Sequence, residues 1–164
     1  MADPENIGHW NGWIGGLQAS SKEFYAQVEE AVKARQVPDC KMSRVSFSEG
    51  GFFSSSREYL RVTRKDLKFD ICAAPFGNSF FVSWRLLYEH TGLWAFLASI
   101  PYLGFFFRAF VRPITYYQMD TANMFQSLVH DAVLEVFENL GKANGKRSLG
   151  EAERKPVMKE FFTR

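Results

Sequence analysis

An uncharged stretch in the middle of the chain places the strongest limit on its fold. Seventeen consecutive residues, Thr91 to Phe107, carry no charged side chain. A membrane-spanning helix needs about 17–25 apolar residues at 1.5 Å per residue, so this run is at the lower limit. Pro101 lies inside it, and a proline there breaks or kinks a helix because it lacks an N–H. The sequence therefore predicts two short arms, 92–100 and 105–111, in an apolar helical hairpin over residues 91–112.

Three interpretations of this hairpin are open. It spans the membrane once, it enters one leaflet or an oligomer core, or it is buried core of a soluble domain. Each arm would be only about 10–14 Å long, at most about half of a ~30 Å hydrocarbon layer, which argues against a single span. A short helix that is apolar all round must be covered on every side, and a chain of 164 residues offers little cover, so the second interpretation is favoured. The predicted membrane or oligomer contacts in this segment are Trp94, Phe96, Leu97, Tyr102, Phe105, Phe106, Phe107 and Phe110. Arg85, Arg108 and Arg112 are expected to meet lipid headgroups or an acidic partner.

A second concentration of aromatic residues lies near the N-terminus. Aromatic side chains make up 16% of the chain, with 17 phenylalanines. Trp10, Trp13, Ile14 and Leu17 follow the helical spacing i, i+3, i+4, i+7, although the glycines between them disfavour an isolated helix. The pattern predicts a Trp/Gly-rich arm, residues 1–19, whose two tryptophans pack on the domain, on a neighbouring subunit or at a membrane interface.

The remaining pattern predicts the fold class. Ser20 and Glu23 form a capping-box pattern, so a helix should begin there. Alternating residues between 41 and 87 predict strands, of which 67–73 is the clearest. The prediction is a single α+β domain, 1–164, with an antiparallel meander of three to four strands, an N-terminal helix, the apolar hairpin and a long C-terminal amphipathic helix.

Signals near the C-terminus predict where the last helices begin and end. Asp120 is the expected N-cap of the long helix and Gly141 its C′ residue. Ser148 and Glu151 form a capping-box pattern for one more helix, which should bend or end near Pro156.

Charge argues against a dedicated nucleic-acid binder. The net charge is +2, far from the basic footprint of such proteins. The stretch from Lys41 to Lys68, however, contains seven basic residues and only three acidic ones. This stretch is either an ordinary solvated sheet face or a surface for anionic headgroups or an acidic partner.

No residue pattern indicates catalysis. Cys72 with His90 or His130 would be the only nucleophilic pair available, and nothing local in the sequence supports it. Cys40 and Cys72 match no zinc spacing and are expected to be free thiols in a reducing compartment. We therefore predict no enzyme activity, no cofactor and no metal, with a small Cys/His hydrolase as the alternative.

The predicted function is a non-enzymatic, membrane-associated assembly or interaction protein. The hairpin would insert as a re-entrant element or form an oligomer interface, and both together would make a membrane-perturbing or pore-like assembly. The acidic start, Met1 to Asn6, is not followed by an apolar h-region, which predicts no cleaved signal peptide. The expected location is cytoplasmic, peripheral or partly inserted at the inner face of a membrane. The alternative is a soluble homo-oligomeric or hetero-complex scaffold with the hairpin as buried core.

Overall fold

The computed structural model describes residues 4–48, 56–89 and 115–159. Within these ranges one antiparallel sheet is covered on one face by two helices. The elements are β1 (Glu5–Gly15), α1 (Ser21–Ala34), β2 (Lys41–Ser48), β3 (Ser56–Arg64), β4 (Leu67–Phe76), β5 (Ser79–Tyr88), α2 (Tyr116–Ala143), α3 (Glu151–Arg154) and β6 (Val157–Met158). The predicted hairpin, residues 91–112, lies outside the described ranges.

The sheet has the strand order β2-β3-β4-β5-β1-β6, and all neighbouring strands are antiparallel. Strands β2 to β5 form a consecutive meander, and the N-terminal strand β1 adds to its far side beside β5. The prediction of a three- to four-stranded meander is therefore wrong, because six strands occur in the described ranges. The two strands that were missed come from the N-terminal arm and from the segment after Pro156.

The N-terminal arm is a strand and not a surface-bound helical stripe. Its glycines hid the two-residue alternation, because Gly8 and Gly12 occupy positions that face the helices. A Cβ on Gly12 would approach the Trp10 ring to 2.8 Å, and one on Gly8 would approach the Met158 sulfur to 2.5 Å. Large neighbouring side chains fill these inward positions, so β1 shows no run of alternating apolar residues.

The core lies between the sheet and the helices. Alternate residues of β4 and β5 point to this helix-covered face, as expected for strands with a period of two. Helix α1 contacts it through Phe24, whose ring lies 5.7 Å from that of Phe80. Helix α2 contacts it through Phe125, 6.2 Å from Phe69. The most deeply buried large side chains are Trp84, Tyr25, Phe24, Phe69, Phe80, Phe125, Phe137, Ile7, Leu60, Ile71, Leu86 and Val28.

Helix α2 is longer at both ends than its sequence signals predicted. Its N-cap is Thr115, which forms a capping box with Gln118, so the Asp120 prediction is wrong. Gly141 is not the C′ residue, because the helix continues to Ala143. Gly141 lies inside the last turns, where a Cβ would meet Ile14 at 3.4 Å. Close packing on β1 explains this glycine better than termination does.

The caps of the other two helices agree only in part with the sequence pattern. The Ser20 hydroxyl accepts a hydrogen bond from the Glu23 N–H at 3.4 Å, at the predicted start of α1. Helix α3 is capped at Gly150 and not at Ser148. There the Glu153 carboxylate accepts a hydrogen bond from the Gly150 N–H at 2.7 Å. This helix has only four residues and ends before Pro156.

The direction of α2 relative to β5 shows where the chain resumes after the segment 90–114. Phe125 packs on Phe69, which is paired with β5 near the C-terminal end of that strand. Gly141 packs on Ile14, which is paired with the N-terminal end of β5. Helix α2 therefore runs antiparallel to β5, and its first residue lies about 14 Å beyond Phe125 at 1.5 Å per residue. Both ends of the 90–114 segment thus emerge at the same end of the sheet.

Candidate functional site

The face of the sheet opposite the helices is the largest candidate surface. No described helix or strand packs on it, and we call it the open face. Strand registers place the following side chains on it: Lys41, Val45 and Phe47 from β2; Arg57, Tyr59 and Arg61 from β3; Lys68, Asp70 and Cys72 from β4; Phe81 and Arg85 from β5; and Trp13 from β1. Five of these residues are cations and one is a carboxylate.

The single carboxylate of the open face is held in a bidentate ion pair. Arg61 donates from Nε and Nη2 to the Asp70 carboxylate at 2.6 and 2.7 Å. These hydrogen bonds raise the pKa of Arg61 above its usual value. Lys68 pairs with Glu89 at 2.5 Å. Within the described ranges Lys41, Arg57 and Arg85 form no ion pair with a carboxylate, so the open face keeps a positive surplus.

Cys72 lies in the middle of the open face but is not exposed, with 2% of its surface accessible. Burial raises the pKa of its thiol, and nearby Arg57 only partly opposes that effect. The thiol is therefore protonated at neutral pH, whereas a nucleophilic cysteine needs the thiolate. Cys40 is half-buried, and burial raises the pKa of its thiol as well.

His130 does not lie near Cys72, because the sheet separates them. His130 sits on α2 at the helix-covered face, where the Trp84 indole N–H donates to its Nδ1 at 2.9 Å. Its Nε2 lies 2.7 Å from the Arg154 carbonyl, so the network assigns the proton to Nε2. Burial lowers the pKa of His130. This histidine is neutral, and both ring nitrogens are occupied by structural hydrogen bonds.

The two tryptophans of the N-terminal arm were predicted to act together, but they point to opposite faces. Trp10 faces the helices with 3% of its surface exposed, and its indole N–H donates to the Glu153 carbonyl at 2.7 Å. It is a core residue in this fold. Trp13 lies on the open face with 66% of its surface exposed. Only Trp13 is available for contact with a partner or a lipid.

The other predicted contact residues fall into two groups. Arg85 is exposed on the open face. Trp94, Phe96, Leu97, Tyr102, Phe105, Phe106, Phe107, Phe110, Arg108 and Arg112 lie outside the described residues, as does His90. The described residues show only where the chain leaves β5 before this segment and where it enters α2 after it.

An exposed apolar stripe on α2 was missed in the sequence. Tyr117, Met124 and Leu128 are spaced by seven and four residues, so they share one side of the helix. They are exposed at 75%, 60% and 38%. A search for a second set of apolar residues at helical spacing in this segment would have revealed the exposed stripe.

A cavity of about 550 Å³ lies between β1 and the chain from Phe137 to Val157. Charged side chains of both signs line it, and most of them form ion pairs with each other or with neighbouring residues. Arg147 binds Glu153 through two hydrogen bonds at 2.9 and 2.8 Å, and the Arg154 guanidinium lies 2.7 Å from Glu138. The charges are largely satisfied internally, so this cavity is a weaker candidate than the open face.

Comparisons with known proteins supply no assignment: no family model, no curated protein and no solved structure matches this chain. Among the described residues, no group of three or more His, Cys, Asp or Glu side chains could hold a metal ion. No helix in the described ranges has the length and apolar character needed to cross a membrane.

Proposed function

We propose that this protein is a non-enzymatic domain that attaches to a membrane surface by inserting segment 91–112 into one leaflet. The sheet and its helices would remain outside the lipid, at the inner face of the membrane. Arg108 and Arg112, which follow the uncharged run, would lie at headgroup depth, where long cationic side chains are stable.

One observation carries this proposal: both ends of the segment emerge at the same end of the sheet. Helix α2, which follows the segment, is tied to β5 by the hydrogen bond between Trp84 and His130 at 2.9 Å. A single crossing would put α2 and the sheet on opposite sides of the membrane and would destroy their shared core. A segment that enters and leaves on the same side keeps that core intact.

The chemistry of the segment supports the same orientation. Its uncharged run is too short and too interrupted by Pro101 for two full crossings, each of which needs about 20 residues. Backbone polar groups inside a leaflet must be satisfied by the segment itself or by neighbouring copies. Partial insertion of two short helices meets this requirement better than a longer irregular path through the lipid.

The test is flotation of the full chain with vesicles of phosphatidylcholine alone, which have no net charge. The wild-type protein should float with the vesicles, and Phe106→Glu should remain in the bottom fraction. The matched control is Ala26→Glu, which introduces the same charge at an exposed residue of α1, on the helix-covered side of the sheet. If wild type does not float, or if both variants float like wild type, the proposal is wrong.

A second candidate function is a scaffold that assembles through apolar surfaces between copies of this chain. The exposed stripe of Tyr117, Met124 and Leu128 favours it, because such stripes commonly mark helix–helix interfaces. Light scattering after size-exclusion chromatography without detergent separates the two candidates. A defined oligomer that does not float would favour the scaffold, and loss of that oligomer in Met124→Glu would identify the stripe as its interface.

A further inference from the structure

We propose that the open face of the sheet binds the anionic phosphate headgroups of membrane lipids, with Arg57 and Arg85 as its main contacts. This inference rests on the proposed membrane attachment and adds to it the class of lipid and the orientation of the domain. The sheet would lie with its open face against the headgroups, while α1 and α2 face away from the membrane.

The charge distribution is the first argument. The open face has five cations and one carboxylate, and after internal pairing Lys41, Arg57 and Arg85 have no carboxylate partner within the described ranges. A surface with one sign of charge attracts the opposite sign, so the ligand should be anionic. Cationic side chains close to an anionic leaflet each strengthen binding.

The position of the two arginines is the second argument. Arg57 on β3 and Arg85 on β5 flank β4, and both act electrostatically on the Cys72 thiol between them. Both side chains are exposed, so they can reach a headgroup without breaking an existing ion pair. A guanidinium group binds phosphate through two parallel hydrogen bonds, which suits a lipid phosphate lying between the two strands.

The placement of exposed aromatic rings favours a lipid surface over single-stranded nucleic acid. The most exposed rings of this face lie at its periphery: Trp13 on β1, Phe47 on the edge strand β2 and Phe76 at the end of β4, at 66%, 46% and 76% exposure. Tyr59 and Phe81, on inner strands, are half-buried. Nucleic-acid platforms on sheets stack bases on rings of their central strands. Aromatic side chains around a basic centre suit the headgroup level of a membrane, where tryptophan is enriched.

Both contacts can form at once. The chain leaves β5 at one end of the sheet, and the open face extends to that same end. The inserted segment and the basic surface can therefore reach one leaflet together. Linking two contacts makes the second one intramolecular and raises the overall affinity. The inserted segment would supply the apolar part of the binding, and the open face would supply its dependence on lipid charge.

The test is binding of the full chain to two kinds of vesicle, phosphatidylcholine alone and phosphatidylcholine mixed with phosphatidylglycerol. Wild type should bind the mixed vesicles more tightly, and rising salt should reduce the difference. The double variant R57Q/R85Q should lose about thirtyfold in affinity for the mixed vesicles, about fivefold for each charge, and should bind phosphatidylcholine like wild type. The matched control is K22Q/K33Q, which removes the same charge from two exposed lysines of α1 on the other side of the molecule.

The outcomes separate this inference from the proposed function. Equal binding of wild type to both vesicles, or equal losses in the two double variants, would overturn the role of the open face while membrane attachment stands. Failure to bind either vesicle would overturn the attachment itself. Binding of phosphatidylglycerol-containing vesicles by Phe106→Glu, abolished when R57Q and R85Q are added to that variant, would support the open face independently of insertion. Tight binding of oligo(dT) that R57Q/R85Q abolishes, with no preference for anionic lipid, would assign the surface to nucleic acid and overturn the lipid proposal.

Discussion

The two faces of the sheet differ in almost every physical property although they share the same strands. On the helix-covered face, Phe69, Ile71 and Trp84 are almost fully buried against α1 and α2. On the open face, the residues next to them in sequence are Lys68, the paired Asp70, Cys72, Ser83 and Arg85. An antiparallel sheet allows this division because successive side chains point to opposite sides. Within the described ranges, the buried apolar contacts therefore lie mainly on one face, and no described helix packs on the other.

The largest difference between the faces should appear when a phenylalanine is shortened. Phe69→Ala removes a fully buried ring that contacts both Trp84 and Phe125, and it should lower the free energy of unfolding by about 3–5 kcal/mol. Phe76→Ala removes an exposed ring and should change it by less than about 0.5 kcal/mol. Urea denaturation of both variants measures the contrast. Similar losses in the two variants would show that the open face also contributes to the core.

The next largest effect concerns a hydroxyl on the helix-covered face. Tyr25 in α1 accepts a hydrogen bond from the Ala73 N–H at 2.8 Å and donates to the Glu58 carbonyl at 2.8 Å. Burial raises the pKa of this phenol to about 12. Tyr25→Phe leaves these strand groups without their partner and should cost about 1–3 kcal/mol of stability in urea denaturation. A negligible change would mean that water replaces the hydroxyl and that this end of the sheet is open.

A smaller effect should come from the protonation of His130. Burial lowers its pKa below the ordinary value of 6.5, so below pH 6.5 the unfolded chain binds more protons at this site than the folded protein does. The stabilisation is complete above about pH 6.5 and is lost as the pH falls, with a slope of at most about 1.4 kcal/mol per pH unit. Nearby Asp131 and the Arg154 carbonyl oppose the shift without reversing it.

This pH dependence can be assigned with two variants. His130→Gln should flatten the stability profile between pH 6.5 and 5, measured by urea denaturation at each pH. His9→Gln alters an exposed histidine on the open face and should leave the profile unchanged. If His130→Gln shows the same dependence of stability on pH as wild type, another titratable group is responsible for it.

The smallest expected effect lies on the open face. R57Q/R85Q removes two exposed guanidinium groups that have no carboxylate partner within the described ranges, so stability should change by less than about 0.5 kcal/mol. Thermal unfolding without vesicles measures this. A large loss would mean that these arginines hold the sheet together, and it would weaken the argument that they are available for a ligand.

The sequence correctly predicted strands where apolar residues occupy every second position. It misassigned the strand β1, in which glycines interrupt that alternation. Strand β4 shows it as Leu67, Phe69, Ile71 and Ala73, which all face the core. In β1 two of the inward positions are glycines, required by the Trp10 ring and by Met158, so the tryptophans were fitted to a helical period instead. These contacts join residues far apart in the chain, which a local pattern cannot contain.

The candidate surface was only partly predictable for the same reason. The basic stretch from Lys41 to Lys68 was visible, and Arg85 was selected, but the sequence did not tell which cations share a face or which are already paired. Strand register explains why Arg61 pairs with Asp70, and the folded sheet shows that Arg57 has no carboxylate partner within the described ranges. Register depends on pairing between strands, so it appears only in the folded sheet.

The proposed attachment places the open face against the membrane and the helix-covered side away from it. An environment-sensitive fluorophore attached to a cysteine at Asn11, on the open face, or at Ala26, exposed on α1, tests it most directly in a Cys40→Ser/Cys72→Ala background. On adding vesicles that contain phosphatidylglycerol, emission from position 11 should shift to the blue and emission from position 26 should not. Equal shifts at both positions, or a shift at position 26 alone, would overturn the proposed orientation.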